Sequence, residues 1–133
     1  MLTSTAVFIN IPVTDLKQST QFFTGLGFHL DDNFTNNSAS CVIVNDVVSV
    51  LLQAEERFGT YAHKPIADAD STECIISVAL DTREQVDEVA DQAVRSGGES
   101  AGPAKDHGYL YGRGFFDPDG HHWEVMWMDP AAR

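Results

Sequence analysis

Few bases, few cysteines and no long apolar run are the first features of this chain. Only 8 lysines and arginines stand against 20 aspartates and glutamates, for a formal net charge of −12 at pH 7. A surface of that sign repels phosphate backbones and anionic lipid, so neither a nucleic acid nor a membrane surface is expected as a partner. No apolar stretch approaches the roughly 18 residues that read as a spanning helix. The start, MLTSTAVFINIPVTD, has no basic segment before a long apolar core, so no signal peptide is expected and the protein reads as cytoplasmic. The two cysteines, Cys41 and Cys74, lack metal-site spacing and sit among β-branched residues, which reads as two buried, reduced thiols. A Gly-rich phosphate loop, a Cys-x-x-Cys pair and a usable Ser-His-Asp order are all missing, so nucleotide cofactors and thiol redox chemistry have no support.

What is present is ordinary material for one folded domain: 133 residues, 43% hydrophobic and 21% charged. The chain is written twice. Ala6 to Val13 is a β-rich run, followed by Asp15 with Gln18 three residues on, as in a capping box, and then Leu16, Ser19, Phe23 and Leu26 at helical spacing up to Gly25 or Gly27. Cys74 to Leu80 is a second β-rich run. Asp81 then leads a second box-like start, and Val86, Val89, Ala90, Ala93 and Val94 form one apolar stripe ending at Gly97-Gly98. Three strand-like segments follow each helix. They run about 27–31, 39–44 and 47–53 in the first half, and about 99–101, 109–116 and 121–127 in the second. The expected division is a first module of about 1–56, a linker of about 57–72 and a second module of about 73–133, and the polar stretch 54–72 between the repeats reads as a short helix and then an exposed linker.

The densest chemistry lies near the end, in GRGFFDPDGHHWEVMWMDP. Asp117-Pro118-Asp119-Gly120 is a tight turn between two strands. A carboxylate inside the apolar strand that follows is costly to bury unless something binds it, which singles out Glu124. Strict alternation puts His122 on the same face, and the two read either as a general acid–base pair or as a satisfied carboxylate beside a solvated histidine. His121 reads as a residue that pins the turn. Tyr109, Tyr111 and Arg113 alternate along one strand face, a surface for a planar or anionic ligand or else an ordinary outer face. Gly112 and Gly114 on the opposite face suggest close approach by another backbone or by the helix. His107 falls in the loop before that strand. Asn10 on the first strand carries an amide that a ligand could satisfy.

Ile11-Pro12-Val13-Thr14-Asp15-Leu16 with Ser19, Phe22-Phe23 and Gly25-Leu26-Gly27-Phe28, together with Phe116-Asp117-Pro118-Asp119-Gly120-His121-His122-Trp123-Glu124-Val125, resemble the vicinal oxygen chelate superfamily. This is the glyoxalase, bleomycin-resistance and extradiol-dioxygenase group. The resemblance covers essentially the whole chain. It implies an α+β fold of two tandem βαβββ modules forming a curved mixed sheet around a cleft. It also implies metal ligands on the first and last strand of each half. Glu124 matches the carboxylate ligand, but the other positions fall on Phe8, on Ile75 or Cys74, and on Val50 or Leu52. Gln53, at the end of its strand, is the remaining donor there.

A lone carboxylate does not hold a divalent ion against water. The expectation is therefore a small-molecule binding protein without the family-type metal, whose candidate residues are Glu124 and His122 for chemistry and Asn10, Gln53, His107, Tyr109, Tyr111 and Arg113 for the ligand. The alternative is a metal-dependent lyase, isomerase or dioxygenase of the same group, with Glu124 as a ligand. Trp123, Met126, Trp127 and Met128 on both faces of one strand suggest that part of this surface is covered by a second copy in a homodimer.

Overall fold

The two principal helices begin where short polar side chains close their free N–H groups. In the computed structural model, which describes residues 1–132, the chain forms two compact units, Met1–Ile66 and Ala67–Arg133. In the first, strand β1 (Val7–Val13) leads into helix α1 (Leu16–Gly25), where the Asp15 carboxylate accepts the Gln18 backbone N–H at 3.0 Å. Strands β2 (His29–Leu30), β3 (Ala39–Ile43) and β4 (Val48–Ala54) follow, and then helix α2 (Glu55–Tyr61). The strand order is β1-β4-β3-β2, with β1 and β4 parallel and the other pairs antiparallel.

Alternation along these strands sorts residues between two faces. Ile11, Val13, Val42, Val50 and Leu52 are buried, as are Phe22 and Phe23 of α1, which packs on β3 and β4. Burying each such side chain contributes about 1.5–3 kcal/mol. The Thr20 and Ser40 hydroxyls meet at 2.7 Å between helix and sheet. Phe8, Asn10 and Pro12 pair with Ser49, Leu51 and Gln53, so these six share the opposite face. The metal-ligand positions expected at Val50 and Leu52 therefore lie in the core, because they face α1; Gln53 is the residue on the open face.

In the second unit, strand β5 (Ile75–Ala79) leads into helix α3 (Arg83–Arg95). The cap is Thr82 rather than Asp81. Its hydroxyl accepts the Gln85 N–H at 3.1 Å, and the Gln85 carboxamide returns to the Asp81 N–H at 3.0 Å. Strands β6 (Glu99–Ser100), β7 (Lys105–Asp106), β8 (Leu110–Phe116) and β9 (His122–Met128) complete a sheet of order β5-β9-β8-β6, with β7 also on β8. β5 runs parallel to β9, and β8 antiparallel to it. Val86, Ala90 and Ala93 of α3 are buried, as are Phe115, Trp123 and Val125 of the sheet, with the Phe115 and Trp123 rings parallel at 6.4 Å.

The Asp117–Gly120 turn is built as its sequence asks. Gly120 has φ +86° and donates to the Asp117 carbonyl at 2.9 Å. Buried Asp117 accepts from the Asp119 and His121 N–H groups and from the Trp123 indole N–H. His121 Nδ1 meets Glu73 Oε1 at 2.6 Å, tying the segment before β5 to the turn. Cys41 is buried, as expected, but Cys74 is exposed, because it precedes β5 in a polar stretch; neither forms a disulfide. No helix among the described residues is long and apolar enough to cross a membrane.

Candidate functional site

On the open face of the second sheet, His122 Nε2 and Glu124 Oε1 lie 2.9 Å apart. Their side chains are 17% and 21% exposed, shielded but reachable. The pair follows from strand geometry, since residues two apart share a face. Gly114 pairs directly with Glu124, and a Cβ there would lie 2.9 Å from Oε1 and 3.1 Å from Oε2. The close approach expected at this glycine is thus made by a carboxylate, not by backbone or helix. At Gly112 a Cβ would meet only ordinary contacts at 3.7 Å and beyond. The Phe116 ring stands 5.2 Å from the His122 ring. When neutral His122 donates from Nε2 to the carboxylate, Nδ1 is left as the basic atom, so the pair can accept a proton and stabilise the resulting imidazolium.

Tyr111 and Arg113 do not join that pair. They occupy the opposite face, towards α3, where the Tyr111 hydroxyl donates to Asp87 at 2.7 Å. Arg113 Nη1 reaches Asp87 at 3.1 Å and Asp91 at 2.9 Å. The Tyr111 hydroxyl bond, helped by Arg113, holds the Asp87 carboxyl below its ordinary value, and the same bond raises the Tyr111 phenol. Arg83 stacks 5.0 Å from both the Tyr111 and Trp127 rings while pairing with Asp106 at 2.8 Å, which brings the Asp106 carboxyl down to about 2. Trp127 is therefore covered by its own chain, and Trp123 is core. Of the residues that suggested a second subunit, Met126 and Met128 remain on the open face. His107 and Tyr109 are exposed, their rings 6.4 Å apart.

In the first unit the structure joins Asn10 and Gln53, residues 43 positions apart in sequence. Gln53 Nε2 donates to Asn10 Oδ1 at 2.6 Å. Gln53 is 3% exposed, and its Oε1 is buried without a hydrogen-bond partner. Both residues line a pocket of about 580 Å³, floored by Leu51 and walled by Arg57, Phe58, Tyr61 and Ala62. The size suits a small organic ligand, within the usual range of about 300–1,000 Å³. Sequence reading found the floor amides but missed the wall. Helix α2 falls where the sequence reads as a short helix, but nothing there singled out Arg57, Phe58 and Tyr61, whose one-turn spacing is the visible signal. Gly114 was readable too, since a hairpin closed at 117–120 fixes its pairing with Glu124.

The donor set does not fit the divalent metal implied by the fold family. Glu124 has His122 beside it, but its strand neighbours on that face are Ser77 and Gly114. On the first unit the corresponding face offers Phe8, Asn10, Ser49, Leu51 and Gln53, which supply amides and a hydroxyl. Among the described residues no three His, Cys, Asp or Glu side chains gather where an ion could sit.

The same frame occurs in solved structures. A hypothetical protein from S. aureus is 25% identical, with a TM-score of 0.79 over 96% of this chain and 94% of that one. The fosfomycin resistance protein FosX from Listeria monocytogenes is 18% identical, with a TM-score of 0.73 over 100% and 99%. A glyoxalase/bleomycin resistance protein/dioxygenase family enzyme from Burkholderia phytofirmans PsJN is 15% identical, with a TM-score of 0.75 over 91% and 96%. No curated protein sequence matches. A family model matches residues 5–125, and the chain belongs to the Glyoxalase/Bleomycin resistance protein/Dioxygenase superfamily.

Proposed function

We propose that this protein binds a small organic molecule on the open sheet face of its first unit, without a divalent metal of the family type. The observation that carries this reading is Gln53, which lines the pocket of about 580 Å³ and whose Oε1 is buried without a hydrogen-bond partner. Leaving such an acceptor unpaired costs about 1–3 kcal/mol, which a bound donor would recover. Likeness in fold to a fosfomycin resistance protein supports a role in capturing or modifying a small molecule. A fragment titration followed by amide NMR tests it. Shifts should concentrate on Leu51, Phe58, Tyr61 and the Gln53 side-chain amide; a broad aromatic and aliphatic library that moves none of them would defeat the reading. Elemental analysis should find metal far below one per chain, and about one per chain, lost on Glu124→Ala, would reverse that part.

A second reading is favoured by the 2.9 Å His122–Glu124 contact. In it the protein is an acid–base enzyme, with His122 moving the proton and Glu124 holding the imidazole. Ligand turnover abolished by both His122→Gln and Glu124→Gln, with binding retained, would establish it; turnover surviving either would remove it. The wider reading places the protein in the cytoplasm as a twofold homodimer burying more than about 1,000 Å². Support comes from the exposed Phe8 and Phe34 rings, 45% and 51% accessible and 5.5 Å apart. Light scattering at micromolar concentration should give twice the chain mass, and a monomer mass would refute it.

A further inference from the structure

We infer that the pocket of the first unit takes a planar aromatic anion carrying a hydrogen-bond donor, such as a hydroxy- or amino-substituted aromatic acid. This rests on the pocket reading above and adds the chemical class.

The donor requirement comes from the direction of two amides. Asn10 Nδ2 donates to the Phe8 carbonyl at 3.3 Å, which turns Oδ1 towards Gln53. Gln53 must then offer Nε2, and does so at 2.6 Å. The end left over is a carbonyl oxygen, and a carbonyl can be satisfied only by a donor. The anion requirement comes from Arg57. In a chain with 20 acids, Arg83 takes Asp106, and Arg113 takes Asp87 and Asp91. Arg57, half-buried at the pocket wall, has no carboxylate among the described residues. Its one hydrogen bond is a long 3.5 Å contact to Asn36 Oδ1, which already accepts from the Ser38 and Ala39 N–H groups at 2.8 and 3.1 Å. Its guanidinium also lies over the Tyr61 ring, 5.9 Å from the centroid, a contact that leaves its N–H groups able to fork onto a ligand carboxylate. The planar requirement comes from Phe58 and Tyr61 on the wall and Leu51 on the floor.

The net charge of −12 opposes any anion at long range. At physiological salt that field is screened within about 8 Å, so the local cation decides.

Calorimetric titration with 4-hydroxybenzoate, benzoate and phenol tests the class, with amide NMR to locate each. 4-Hydroxybenzoate carries both groups and should bind about tenfold more tightly than benzoate, which lacks the donor, or phenol, which lacks the charge. Gln53→Met should lower 4-hydroxybenzoate to the level of benzoate and leave benzoate unchanged, which also shows that the variant is folded. Arg57→Met should weaken both acids and leave phenol unchanged. Equal affinities for 4-hydroxybenzoate and benzoate, or no response to Gln53→Met, would show that water satisfies the oxygen and would overturn the donor claim. Acids unaffected by Arg57→Met would overturn the anion claim. If none of the three moves Leu51, Phe58 or Tyr61, while other fragments do, the class falls and the pocket stands. If no fragment does, the pocket reading falls with it.

Discussion

The two units build one frame from different chemistry. In the first, helix meets sheet through Phe22, Phe23 and a neutral hydroxyl pair, Thr20 with Ser40, and the open face carries amides under a short helix. In the second, helix meets sheet through Val86, Ala90 and Ala93, and through ionised ties from Asp87 and Asp91 to Tyr111 and Arg113, while the open face carries an imidazole and a carboxylate. A duplicated βαβββ order therefore fixes where side chains stand, not what they do. One copy offers a pocket with an unmet acceptor, and the other a histidine–carboxylate pair.

The most severe way to break the comparison is to empty the core of one unit. Trp123→Ala removes a ring that is 1% exposed and stacked on Phe115, and it strips an indole donor from buried Asp117. The expected loss is about 3–5 kcal/mol in urea unfolding. Hydrogen exchange should show it mainly in residues 67–132. Equal loss of protection in both units would mean that they do not behave as separate halves.

The ionised ties give the next effect. Arg113→Met leaves Asp87 and Asp91 without their cation and should cost about 1–2 kcal/mol, discounted because both carboxylates are about half exposed. pH separates the units further. Asp87 and Asp106 have folded values below the ordinary 3.8, Asp106 at about 2. Their contribution is therefore complete above about pH 4 and lost as pH falls towards 2. Asp117 works in the opposite sense. Burial raises its value, so its protonated form favours the folded state, and that contribution fades as pH rises through the folded value. Between pH 4 and 2, exchange protection at the contact of α3 with β8 should drop, while the Thr20–Ser40 contact, which has no titrating group, should hold. Matching losses at the two contacts would contradict this account.

How much of this was legible depends on the range of each interaction. Both helices, the 117–120 turn and the His122–Glu124 pair follow from spacings of two to four residues, which the chain displays directly. The opposite faces of Leu52 and Gln53 also follow from alternation, but the contact of Gln53 with Asn10, 43 residues away, needed the register of β4 against β1. Tyr111 and Arg113 do share one face, but that face looks at α3, whose Asp87 and Asp91 lie outside the helix's apolar stripe. The two-residue strand at Lys105–Asp106 has no period to detect.

A smaller perturbation sharpens the view of the second unit's open face. Gly114→Ala would put a Cβ 2.9 Å from Glu124 Oε1 and 3.1 Å from Ala101 Cβ. The carboxylate is the mobile partner, so it should swing away from His122 at a cost near about 1 kcal/mol, the low end for overpacking. The NMR ring signals of His122 at fixed pH should then move as they do in Glu124→Gln. Ring signals identical to those of the unaltered protein would show that the glycine does not hold the pair together.

The smallest effect concerns the loop that carries His107 and Tyr109. Both were candidate ligand residues because one precedes and the other opens an aromatic strand face. Both are exposed, and their segment is anchored by other groups: the His107 N–H to the Leu110 carbonyl at 2.8 Å, the Asp129 N–H to the Tyr109 carbonyl at 2.8 Å, the Arg83 guanidinium to the Gly108 carbonyl at 2.9 Å and the Gly108 N–H to the Asp106 carboxylate at 2.9 Å. Their rings are 6.4 Å apart and tilted by 30°, a contact of little weight in water. Replacing both side chains, His107→Ala with Tyr109→Ser, keeps every one of those bonds. Stability should change by less than about 0.5 kcal/mol, as for ordinary surface sites. Affinity for 4-hydroxybenzoate should also stay the same, because the groups argued to hold it are Gln53 and Arg57 of the other unit. A drop of about tenfold in that affinity would move the ligand to the second unit and invert the contrast drawn between the two halves.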